Sequence, residues 1–172
     1  MHIIIDGYNL IRQSKQLKEI DRLDLQQGRE ALVDALVEYR KAKGYRITVV
    51  FDGARAEMGL PRRDRLKGIE LRFSNPGEPA DAVIKQMAAR EREKALVVTS
   101  DNDIVRFAES KGAATIGAPQ FEERMRMAGL IAQGEGPGAD IEDERRTDTR
   151  KKGPARRLPR RKRRSTRRIA KL

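Results

Sequence analysis

Three short apolar runs in this chain each stop at an aspartate, and this repetition limits the fold more than any other feature. Ile3-Ile4-Ile5 ends at Asp6-Gly7, and Ile47-Thr48-Val49-Val50-Phe51 ends at Asp52-Gly53. Ala95-Leu96-Val97-Val98-Thr99 runs into Ser100-Asp101-Asn102-Asp103. β-branched residues favour strands. Runs that are apolar on both faces and stop at a turn residue suit buried parallel strands. Open parallel sheets do their chemistry just beyond the carboxyl ends of the strands. A chain that ends three such strands in carboxylates therefore collects acid at that edge.

The intervening segments read as helices. Leu25 to Lys43 carries an apolar stripe of Leu25, Leu32, Leu36 and Tyr39, and Gly44 is its stop. The turn Asn75 to Pro79 opens a helix over Ala80 to Lys94, with Val83, Ile84, Met87 and Ala88 inward. Ile104 to Lys111 and Pro119 to Ala132 are two more helices. Ile69 to Phe73 alternates and predicts a strand near a sheet edge, and Ala113 to Ile116 a short last strand. Residues between Gly7 and Leu25 read as a loop. Residues 54–68 are basic, are broken by Gly59 and Pro61, and read as a mobile loop beside a strand end. A plain solvated loop is the alternative there. The fold class is α/β, with a mostly parallel central sheet and helices on both faces.

Charge divides the chain. Of 38 Lys and Arg, 13 lie in residues 149–172, which hold no Asp or Glu. The rest carries 25 basic against 26 acidic side chains and is close to neutral. The expected organisation is a domain over 1–132, a Gly-rich and acidic linker over 133–148, and a basic disordered tail over 149–172. A tail carrying the whole excess charge points to a polyanionic partner. The chain has no cysteine, which excludes disulfides, thiolate metal sites and a thiol nucleophile. No apolar run reaches membrane-spanning length, and the N-terminus does not read as a signal peptide. The expectation is a cytoplasmic protein with no membrane partner.

Asp6, Asp52, Asp101 and Asp103 come from strand ends, and Asp81 from a helix start. Five carboxylates at one edge repel and raise each other's pKa unless something positive compensates. No Lys or Arg is adjacent to them in sequence, apart from the loop after Asp52. An oxygen-ligated Mg²⁺ or Mn²⁺ is the simpler compensation. Such an ion binds phosphate oxygens and activates water. Each acid also has a plain structural role open to it. Asp101 suits an N-cap, Asp81 and Asp103 suit first turns, and Asp6 and Asp52 suit turn caps.

Taken as an ordered set, Asp6-Gly-Tyr-Asn9, Phe51-Asp-Gly53, Asp81 in Glu-Pro-Ala-Asp-Ala-Val-Ile, and Thr99-Ser-Asp-Asn-Asp103 resemble the motifs of NYN-domain proteins. These are PIN-like nucleases, and the chain is most similar to their YacP-like branch over about residues 1–132. The resemblance implies a three-layer α/β/α PIN-like fold and a metal-dependent endoribonuclease that hydrolyses RNA phosphodiester bonds. It implies a catalytic set of Asp6, Asn9, Asp52, Asp81, Asp101 and Asp103. Within that set, Asp6, Asp81, Asp101 and Asp103 are the expected ligands of Mg²⁺ or Mn²⁺. Ser100 stands beside the site as a hydrogen-bond donor to carboxylate or phosphate. An mRNA or rRNA is the implied partner, with the ribosome as a further candidate. Arg55, Arg62 and Arg63 of the basic loop and Arg160, Arg161, Lys162, Arg163 and Arg164 of the tail are the candidate RNA contacts, the tail on charge alone.

Other readings compete. One is a non-catalytic RNA- or ribosome-binding adaptor on the same fold. An aspartyl phosphatase would want an acid two residues after Asp6, where Tyr8 stands. A DNA nuclease is not separated from an RNA nuclease by any residue pattern here. Phosphate-cradling glycine motifs are absent, which argues against a nucleotide cofactor.

Overall fold

The computed structural model describes residues 1–55, 61–132, 169–170 and 172. Its centre is a six-stranded sheet. The strands are β1 (His2–Asp6), β2 (Arg46–Phe51), β3 (Arg63–Leu66), β4 (Ile69–Phe73), β5 (Ala95–Val98) and β6 (Ala114–Ile116). They lie in the order β3-β4-β2-β1-β5-β6. All neighbouring pairs are parallel except β3 with β4.

Helices α1 (Gly7–Gln13), α2 (Lys15–Leu23), α3 (Leu25–Lys43), α4 (Ala80–Glu91), α5 (Asn102–Lys111) and α6 (Ala118–Ala132) complete the layers. The period-2 alternation of a strand divides its side chains between two cores. Ile3 and Ile5 of β1 join the larger core with Leu10, Leu32, Leu36, Tyr39 and Phe121 from α1, α3 and α6. Ile4, between them, joins the smaller core with Ile84 and Met87 of α4 and Ile104 of α5. All three isoleucines are fully buried. A strand buried on both faces needs apolar residues along its middle, and Ile3, Ile4 and Ile5 supply them.

Two segments differ from the sequence expectation. The stretch predicted as a loop before Leu25 holds α1 and α2; seven residues are too few for α1 to show a clear helical period, whereas Leu17, Ile20 and Leu23 of α2 recur at helical spacing, a signal the loop reading overlooked. The starts of both are marked by caps. Asp6 Oδ1 accepts the Asn9 N–H at 3.2 Å, and Ser14 Oγ accepts the Leu17 N–H at 3.3 Å. The predicted mobile loop at 54–68 holds a 3₁₀ turn at Gly53–Arg55 and the antiparallel strand β3. Arg63, Asp64 and Arg65 are exposed on β3. Charge on an edge strand is a common defence against strand-to-strand aggregation, and here it concealed the strand.

The linker over 133–148 and most of the tail lie outside the described residues, including Arg160, Arg161, Lys162, Arg163 and Arg164. Ile169 and Leu172, within the span read as tail, rest against the larger core. The Tyr39 hydroxyl donates to the Leu172 carbonyl at 3.3 Å.

Candidate active site

The carboxyl ends of β2, β1 and β5 stand side by side, so the three strand-end aspartates are neighbours by topology. β1 is the middle strand, with Asp6 as its last residue. Asp52 follows β2 on one flank and Asp101 follows β5 on the other. Asp81 is reached from α4, in whose first turn it lies. Asp6, Asp52, Asp81 and Asp101 line a cavity of about 400 Å³ together with Tyr8, Asn9, Arg12, Gln13, Pro79 and Ala80.

The glycine after each of the first two aspartates is required by packing. A Cβ at Gly7 would run into the Phe51 ring, and one at Gly53 would strike the Ser74 carbonyl. Ser74 also accepts the Gly53 N–H on its hydroxyl at 2.9 Å. These close approaches bring the strand ends together and hold the turns that display the acids.

Asp6 is the most perturbed acid of the cavity. Burial pushes its carboxyl up to about 6, and the nearby charges of Asp81 and Asp101 push the same way. The Asn9 N–H and the Thr99 hydroxyl favour the ionised form and oppose this. Asp52 accepts the Ala54 N–H at 2.9 Å. Asp101 caps α5, with its Oδ1 accepting the N–H groups of Asp103 at 2.7 Å and Ile104 at 3.3 Å. The structural role open to Asp101 is therefore real, yet the same side chain also lines the cavity.

Asn9 and Ser100 tie the site together. Asn9 Oδ1 accepts the Ser100 N–H at 3.0 Å and the Gln13 side-chain amide at 3.3 Å. Ser100 Oγ donates to Gln13 Oε1 at 3.2 Å and accepts the Ala118 N–H at 3.2 Å. These bonds lock α1, the loop after β5 and the start of α6 into one body.

Asp103 does not line the cavity. It is largely exposed and paired with Lys85 of α4, which holds its carboxyl below the usual range. Lys85 also senses Asp81 and Asp101. Sequence adjacency could not show this cation, because helical packing of α4 against α5 delivers it. Arg62 donates to Asn75 and Arg63 is exposed on β3, and neither is among the described residues that line the cavity; the side chain of Arg55 lies outside the described residues. Tyr8, Arg12 and Gln13 were missed because α1 was missed. Asn9, Arg12 and Gln13 share a helical face at i, i+3 and i+4.

Among the described residues no group of three or more His, Asp or Glu side chains is placed to hold a metal ion as the side chains stand. The donor set still suits Mg²⁺ or Mn²⁺. All donors are oxygens, and Mg²⁺ is commonly held by one or two carboxylates with water filling the other positions. Among the described residues none of Asp6, Asp52, Asp81 and Asp101 has an ion-pair partner within salt-bridge distance, and Lys85 meets the charge of Asp81 and Asp101 only from farther away.

Comparison with known proteins gives the family and the fold. The family profile of the YacP-like NYN domain matches residues 3–171. The uncharacterized protein YacP of Bacillus subtilis is 33% identical over 86 residues, which is half of each chain. The crystal structure of Rae1 (YacP) from Bacillus subtilis superposes with a TM-score of 0.67 at 26% identity, over 78% of both chains. A mutant of that protein superposes with a TM-score of 0.65 at 24% identity, over 77% of this chain and 79% of that one, a likeness of fold. With a profile match over nearly its whole length and the strand-end acids on one wall, the chain belongs to the YacP-like NYN domain family, which has the PIN-like nuclease fold.

Proposed function

We propose that this protein is a metal-dependent endoribonuclease acting on cytoplasmic mRNA or rRNA. The observation that carries the proposal is one cavity lined by Asp6, Asp52, Asp81 and Asp101, with no ion-pair partner for any of them among the described residues. Asp6, Asp81 and Asp101 would hold Mg²⁺ or Mn²⁺; Asp103 adds its charge from outside the cavity, where Lys85 engages it. When bound, the ion supplies charge neutralisation at the phosphate and a lowered pKa for water.

The chain's own residues do the rest. The carboxylate wall would accept a proton from a water as its oxygen bonds to phosphorus, while one P–O ester bond breaks and its ribose oxygen leaves, taking up a proton. Asn9, Gln13 and Ser100 fix the spacing between the ends of β1 and β5, and so between Asp6 and Asp101. Thr99 keeps Asp6 closer to its ionised form. The basic segment around Arg160 to Arg164 would add electrostatic capture of RNA, alone or on the ribosome. Among the described residues no helix is long and apolar enough to cross a membrane.

Incubation with total RNA and Mn²⁺, with and without ribosomes, followed by mapping of new 5′ ends, tests the proposal. New ends that vanish with a chelator support it. Tight RNA binding with no new ends under either condition would replace it with the adaptor reading.

A further inference from the structure

We infer that Arg12 binds a backbone phosphate of the RNA at the rim of the acidic cavity. This deepens the nuclease reading and rests on its choice of RNA as the ligand.

Arg12 is exposed, sits on α1 and lines the same cavity as Asp6, Asp52, Asp81 and Asp101. A guanidinium next to carboxylates ordinarily settles on one of them as a forked, two-bond pair. Arg12 does not: among the described residues it has no carboxylate partner. It lies over the Tyr8 ring instead, 5.9 Å from the centroid. Contact with a ring face leaves the N–H edges of the guanidinium free to donate. Tyr8 is itself held in place, buried and packed edge-on against Phe51 at 5.1 Å. The ring therefore gives the guanidinium a contact within the cavity lining that is not one of the acids.

A wall of carboxylates repels a polyanion. A bound metal ion would offset part of that repulsion at the reacting phosphate, and a side-chain cation would offset it at a neighbouring one. The neighbouring candidates are already engaged, Lys85 by Asp103 and Arg62 by Asn75. Arg12 is the cation that lines the cavity itself, and its planar fork matches two phosphate oxygens.

The test uses the full chain in an Asp101→Asn background, so that binding is read without turnover. The probe is a short single-stranded RNA, and a set of the same RNA with one phosphate at a time replaced by an uncharged methylphosphonate. Arg12→Ala should weaken binding of the unmodified RNA about tenfold, the scale of one charge-assisted pair. The parent should lose affinity at one or two methylphosphonate positions, and Arg12→Ala should be indifferent at those positions. Arg12→Lys should recover only part of the loss. Unchanged binding by Arg12→Ala, an unchanged methylphosphonate pattern, or no measurable binding by the parent overturns the inference. Cleavage by the otherwise wild-type chain is scored separately. An Arg12-dependent phosphate contact without any cleavage would sink the nuclease reading and leave this inference standing.

Discussion

The Thr99 hydroxyl donates a 3.2 Å hydrogen bond to the Asp6 carboxylate, joining the end of β5 to the end of β1. The same oxygen accepts the Asp101 N–H at 3.1 Å. One side chain thus joins the carboxylate of the middle acid, Asp6, to the backbone of the flanking acid, Asp101. The bond stabilises ionised Asp6, so Thr99→Val should raise the Asp6 pKa above its value of about 6. The expected rise is about half a unit to one unit, from a net hydrogen-bond energy of about 1 kcal/mol. Carbon-detected NMR titration of the metal-free protein measures it. A pKa that stays put or falls contradicts the account.

Asp6 also sets a stability trend. Its folded pKa is raised from 3.8 to about 6, so the folded state binds more protons than the unfolded state between those values. The metal-free protein should therefore lose stability as pH rises through that window, by at most about 3 kcal/mol from this group. Asp6→Asn should flatten the trend and be the more stable protein at pH 7. Urea melts at pH 4.5 and pH 7 compare the two. A wild type that gains stability across this window relative to Asp6→Asn would reverse the sign.

Asp101→Asn should keep the fold and lose cleavage by about a hundredfold or more, the scale of losing a group that acts on developing charge. The Asn side-chain oxygen can still cap α5 at Asp103 and Ile104, which is why the fold survives. Mg²⁺ or Mn²⁺ should raise the melting temperature of the wild type, with about 2.7 kcal/mol of stabilisation at a hundred times Kd. The variant should show a much smaller rise. A full metal response in Asp101→Asn, or wild-type cleavage by it, removes the shared-site assignment.

The end of the chain carries a separate expectation. Leu172 is 3% exposed and bonded to Tyr39 through its carbonyl. Leu172→Ala should cost about 2–3 kcal/mol, within the range for buried leucines. Denaturant midpoints at constant m-value measure this. A loss below about 0.5 kcal/mol would mean that Leu172 is not held in the core in solution.

Because Leu172 is buried, truncation is a poor way to test the basic segment. Changing Arg160, Arg161, Lys162, Arg163 and Arg164 to Gln leaves the end of the chain in place. If all five meet phosphates of single-stranded RNA, the salt slope of log K should flatten by about 3.5. Equal slopes in the two proteins would exclude this segment from RNA binding.

The strand-end aspartates were legible because both parts of the signal are local. An apolar β-branched run and the acid that stops it lie within a few residues, and parallel pairing then forces Asp6, Asp52 and Asp101 to one edge whatever the loops do. The family motifs are legible for the same reason. The caps at Asp6 and Asp101 also sit beside the helices they start. Tertiary structure alone decided the balance of charge. Lys85 reaches Asp103 across 18 residues because α4 packs beside α5, and Asp103 does not line the cavity. Arg12 reaches the rim only because α1 is a helix, and a seven-residue helix takes its stability from the core it rests on rather than from its own period. Leu172 finds Tyr39 over 133 residues of chain, a contact no local pattern encodes. Local sequence thus determined which groups could act, and packing determined which of them are left free to do so.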